Sequence, residues 1–117
     1  MQSTIKNEMG TITINPEVIA RMAGLTAMEC YGVVGMAAKS LKDGLVHLLK
    51  IESLTKGVRT KMHEEGDLSV SLHIIVEYGT NILAIAQTLI DNVKYKLEST
   101  TGINVREVKI FVESVRV

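Results

Sequence analysis

Strict alternation of apolar and polar side chains marks the middle of the chain. Between Leu68 and Glu77, the residues Leu68, Val70, Leu72, Ile74 and Val76 point to one side of an extended strand, while Ser69, Ser71, His73 and Glu77 point to the other. One face is therefore core and the other meets water. The segment GVRTKMH lies before it across Glu64-Glu65-Gly66-Asp67, so the two read as a hairpin with Gly66 in the turn. A closing strand in INVREVKIFVESVRV turns Val108, Ile110 and Val112 inward and Lys109, Phe111 and Glu113 outward. A bulge is expected in it near Arg106-Glu107 or near Ser114. At the other end GTITIN, with Ile12 and Ile14 alternating with Thr11 and Thr13, reads as a short strand with one buried face. Residues 1–9 before it are expected to be a flexible N-terminus.

Helical periodicity separates these strands. Asn15 can cap free backbone N–H groups, Pro16 fits the first helical position and Glu17 suits the positive end of the dipole, so a helix starts there. Val18, Ile19, Met22, Ala23, Leu25, Thr26 and Cys30 give it an apolar side from Pro16 to Cys30, and Gly32 ends it. Leu41, Leu45, Leu48 and Leu49 form a second helical stripe over Leu41 to Ile51, although Gly44 inside it costs about 1 kcal/mol relative to Ala. Thr80 is placed to cap a long helix to about Thr101, with the stripe Ile82, Ile85, Ala86, Leu89, Val93 and Leu97 and a stop at Gly102. Twenty residues of helix span about 30 Å and ten residues of strand about 33 Å, so the helix can lie along the sheet.

These elements predict one α+β domain of 117 residues: a two-layer sandwich with a mostly antiparallel four-stranded sheet and two or three helices on one face, in the order βα(α)ββαβ. The core is aliphatic, because the 46% of apolar residues include three Tyr, one Phe and no Trp. Thirteen basic residues balance 13 acidic ones, so no general field attracts nucleic acid or an anionic membrane. The polar start MQSTIKNEMG does not resemble a secretory leader, no apolar run approaches the ~20 residues of a membrane span, and one cysteine suits a reducing compartment. A cytoplasmic protein without direct membrane insertion is the expectation.

Candidate chemistry is sparse. Cys30 sits on the apolar side of its helix and reads as a small core residue rather than a nucleophile, which would need a nearby base. Tyr31 reads as cover for the helix end. His47, His63 and His73 have no metal-ligand spacing, and no cofactor is expected. Gly32-Val33-Val34-Gly35 has the Gly-x-x-Gly form of the phosphate-approaching loop in KH-type RNA-binding modules, but its middle positions are valines and the next cation is Lys39. Its stronger reading is a turn whose glycines let the backbone bend while the valines enter the core. Nucleic-acid binding through Gly32 and Gly35 stays as the alternative function.

One surface stands out. Arg59, Lys61, His63 and His73 share the polar face of the hairpin with Ser69 and Ser71, and Ile75 and Phe111 add apolar groups to it. Apolar side chains among charges mark contact surfaces, so this face is the expected interaction surface, either for self-association as a homo-oligomer or for a partner.

The blocks GTITINPEVIARMAGLTAMECYGVVGM and VSLHIIVEYGTNILAIAQTLIDNVKYKLESTTGINVREVKIFVESV resemble the alkaline shock protein family, also called the Gls-type general stress family, of Gram-positive bacteria. The resemblance runs from Gly10 to Val115, with the segment from Ser40 to Gly57 undistinctive. It implies a non-enzymatic cytoplasmic protein of cell-envelope stress and homeostasis. It also implies self-association, and for some members attachment to the membrane through a small anchored partner protein. It supplies no catalytic residues. The chain is similar to the short, stand-alone members.

Overall fold

The computed structural model describes residues 3–7, 9–39, 46–48 and 55–117. In chain order the elements are β1 (Ser3–Asn7), β2 (Gly10–Ile14), α1 (Pro16–Met28), β3 (Val33–Lys39), β4 (Val46–Leu48), β5 (Val58–Met62), β6 (Leu68–Glu77), α2 (Ile82–Thr101) and β7 (Val105–Arg116). The fold is α+β, with the two helices packed on one face of a sheet formed by β3 to β7.

β6, the strand with the cleanest alternation, is the centre of that sheet. β7 runs parallel to it along its whole length, from Leu68 opposite Val105 to Glu77 opposite Arg116. Parallel neighbours need a long crossover, which α2 supplies. The other edge of β6 is shared by two antiparallel strands: β5 pairs with its first half, from Leu68 to Leu72, and β3 with Ile74 to Val76. Past Met36, β3 pairs with β4. β1 and β2 form a separate antiparallel hairpin, so Ser3–Asn7, within the stretch expected to be flexible, is a strand.

Both helices begin as the sequence directs. The Glu17 N–H donates to Asn15 Oδ1 at 2.8 Å, with Pro16 in the first turn. α2 is capped by Asn81, whose Oδ1 accepts from the Ala84 N–H at 3.1 Å, and not by Thr80. Thr80 instead donates its hydroxyl to the Glu77 carbonyl, a turn contact that competes with capping. α1 ends at Met28, two residues before Cys30.

The core lies between the helices and the inward face of β6. Ile19, Ala20, Ala23 and Ala27 of α1 and Ile85, Leu89, Val93 and Leu97 of α2 meet Leu68, Val70, Leu72, Ile74 and Val76. Each large aliphatic side chain buried there contributes roughly 1.5–3 kcal/mol. Alanines on the buried side of α1 let it approach closely, while Val18 and Leu25, expected on that side, are exposed. The stripe was wider than the surface available to cover it.

Two other expectations are corrected, and one strand had no sequence signal. Leucine spacing predicts a helix over residues 41–51, but Val46–Leu48 is strand β4 and the remainder lies outside the described residues. The free edge of β3 offers backbone partners that local leucine spacing cannot reveal. β3 itself was not foreseen, because VVGMAAK lacks alternation. Of the buried face expected of β2, Ile14 alone is half-buried and packs against the core, while Ile12 is 52% exposed. By contrast β7 shifts register against β6 at Arg106 and again at Glu113, in the two places where a bulge was expected. Arg106 donates from Nε and Nη2 to Asp67 Oδ2 and from Nη2 to Glu65 Oε2, each at 3.2 Å, which ties the β5–β6 turn to the start of β7.

Candidate functional site: the open face of the sheet

Because α1 and α2 share one side of the sheet, alternation presents the remaining side chains of β5, β6 and β7 on the other. The strand registers arrange them in rows. Arg59, Ser71 and Lys109 stand side by side across β5, β6 and β7; Lys61, Ser69 and Glu107 form the next row. Short serines between long charged side chains leave a shallow depression of about 230 Å³, lined also by Thr60 and His63. A hydrogen bond of 2.6 Å joins His63 Nε2 to Ser69 Oγ, and Lys109 Nζ lies 3.7 Å from Glu107 Oε1.

Farther along, His73 is the node of a second group. Its ring stacks on Phe111, its neighbour on β7, with centroids 4.8 Å apart and planes 11° from parallel. Its Nδ1 lies 3.1 Å from Glu113 Oε2. Glu113 is the extra residue of the second register shift, and a bulge re-aims the side chain it carries. Phe111 remains 43% exposed although its ring is partnered.

The six residues expected at the interaction surface thus share one face, in two groups. Arg59, Lys61 and His63 line the depression; His73 and Phe111 form the stack. Ile75 departs from expectation, because it is only 8% exposed. It lies between Gly35 and Ser114, with a register shift on each flank, at Val34 and at Glu113. The sequence reading missed Lys109, Glu107 and Glu113 as members of these groups. Outward alternation of β7 was the available signal, but the parallel register that sets these residues beside β6 was not.

Gly32 to Gly35 do not form a loop between two helices. Gly32 ends the turn after α1 at φ 91°, and Val33, Val34 and Gly35 already belong to β3, with Val33 buried. The Gly32 carbonyl accepts from the Glu77 N–H at 2.9 Å. Cys30 is buried, and burial pushes its thiol above the usual range, away from the thiolate a nucleophile requires. Tyr31 is exposed. Among the described residues no group of three or more His, Cys, Asp or Glu could hold a metal ion. A second depression, of about 380 Å³, runs beside Val18, Met22 and Leu25 on α1.

Among the described residues no helix is long and apolar enough to cross a membrane. The chain is 41% identical over 118 residues to a Bacillus subtilis protein, YloU, covering the whole of this chain and 98% of the relative. A Streptococcus pyogenes protein is 36% identical over 118 residues, covering the whole chain and 97% of that protein. A second Bacillus subtilis protein, YqhY, is 26% identical over 92% of this chain and 78% of its own length. No solved structure matches the chain at a significant level. The family model for alkaline shock protein 23, described as having a cell envelope-related function, matches residues 4–117, and the chain belongs to that family.

Proposed function

We propose that this protein is a non-enzymatic contact module of cell-envelope homeostasis, in which copies of the chain join through the outer edge of β7 and the adjoining open face. The observation that carries the reading is the edge itself. β7 is twelve residues long and pairs with β6 alone among the described strands. A long strand bonded on one side leaves a row of backbone groups that a second chain can satisfy.

The side chains select a register. Antiparallel pairing about Phe111 sets Lys109 against Glu113 of the second copy twice, with the two Phe111 rings adjacent. Pairing about Ile110 would oppose Glu107 and Glu113, and pairing about Lys109 would oppose that residue to itself. Opposite charges across strands favour the first arrangement and like charges disfavour the others. A cytoplasmic location, with any membrane contact made through a small anchored partner protein, completes the proposal.

Sedimentation velocity over a range of concentrations tests it. The native chain sediments as assemblies larger than a monomer, Phe111→Ser and Lys109→Glu each shift it toward monomer, and combining Lys109→Glu with Glu113→Lys regains association. A native chain that stays monomeric, or a Phe111→Ser variant with an unchanged profile, refutes the reading.

A further inference from the structure

The depression on the β5 half of the open face carries more cationic charge than its surroundings explain. Arg59 and Lys61 occupy alternate positions of β5, so both rise from the same face about 7 Å apart. Neither has a carboxylate partner among the described residues. Lys109 adds a third cation beyond Ser71, and Glu107 is the one carboxylate lining the site, held at 3.7 Å by Lys109. This local surplus occurs in a chain whose 13 basic and 13 acidic residues cancel.

Like charges at neighbouring positions of a sheet repel, and a charged partner on the adjacent strand would relieve them. The adjacent positions hold Ser71 and Ser69 instead. These side chains carry no charge to neutralise the cations; the Ser71 hydroxyl is able to donate a hydrogen bond from the floor, while the Ser69 hydroxyl is shared with His63. His63, bonded to Ser69 Oγ, closes one wall. A guanidinium fork, an ammonium and a hydroxyl donor around one shallow hollow are the groups that recognise a phosphoryl oxygen cluster.

We infer that the hollow formed by Arg59, Lys61, Lys109, Ser69 and Ser71 binds a phosphoryl group. The site goes beyond the contact function; the two share Lys109, but Arg59 and Lys61 lie on β5, away from the outer edge of β7, so their charge reversal tests the hollow separately. The phosphoryl group could be carried by a free phosphate ester or by a lipid headgroup, and the same hollow fits both chemistries.

NMR titration of the native chain with glycerol phosphate at low salt, and co-sedimentation with vesicles of phosphatidylglycerol or of phosphatidylcholine, separate these sources. Glycerol phosphate is expected to shift the amides of Arg59, Lys61, Ser69 and Ser71, with an affinity that falls as salt rises. If the source is lipid, the response appears with phosphatidylglycerol vesicles and not with phosphatidylcholine. In either case Lys61→Ala weakens binding about tenfold, the worth of one charge-assisted contact, and Arg59→Glu with Lys61→Glu abolishes it, while Phe111→Ser leaves it unchanged. Both charged positions are exposed, so circular dichroism of these variants matches the native chain. No response to either ligand at millimolar concentration overturns the inference. So does equal binding by the charge-reversed variant, or a response to an oligoribonucleotide alone.

Discussion

Adding one methyl group at Gly32 separates a packing turn from a ligand-binding loop. The residue adopts φ 91°, and a Cβ built there would stand 2.3 Å from Ile85 Cδ1 and 2.8 Å from Ile85 Cγ1. Two costs follow for Gly32→Ala. A side chain held at positive φ costs roughly 1–2 kcal/mol. Forcing α2 or the Ile85 rotamer to yield adds roughly 1–3 kcal/mol. Their total, about 2–5 kcal/mol, is a large share of the 5–15 kcal/mol that stabilises an ordinary domain. Urea unfolding followed by circular dichroism should therefore show a midpoint lower by about 1–2 M at an unchanged slope, given roughly 1–3 kcal/mol per molar for small proteins. Ile85→Val alone costs about 0.5–1.5 kcal/mol, but in the Gly32→Ala background it removes the methyl that clashes. The two changes should then be less than additive by at least about 0.5 kcal/mol. A Gly32→Ala variant within about 0.5 kcal/mol of the native chain, or strict additivity with Ile85→Val, would refute the packing role.

Other substitutions test the core, the cap and the thiol. Leu89→Ala, in the buried row of α2, should cost about 2–5 kcal/mol, whereas Leu83→Ala on the exposed side should stay within about 0.5 kcal/mol, both read from urea midpoints. Asn81→Ala removes the acceptor for the Ala84 N–H and should cost about 1 kcal/mol by the same measurement; no change would return the capping role to Thr80. Burial raises the Cys30 thiol in the folded chain, so its stabilising contribution is complete below the ordinary thiol pKa of about 8.5 and is lost as pH rises above it. The urea midpoint of the native chain should accordingly fall more steeply than that of Cys30→Ala between neutral and alkaline pH. Rapid labelling of the native thiol by Ellman's reagent at neutral pH would contradict that burial.

Local chemistry wrote much of this protein into its sequence. Asn15-Pro16-Glu17 started α1, Gly102 stopped α2, and the alternation of β6 named five core residues, because capping, helical periodicity and the pleat each act within a few positions of the chain. The polar residues of the open face followed from the same period. Tertiary structure alone decided which strands met: that β3 and β5 share one edge of β6, that β7 lies parallel on the other and places Lys109 beside Ser71 and Phe111 over His73, and that residues 46–48 became a strand. It also decided that Ile75 is covered while Val18 and Leu25 are not. A side chain's period is fixed by its own backbone, but its burial and its partners depend on segments distant in sequence, whose backbone groups and apolar surface must be satisfied at the same time.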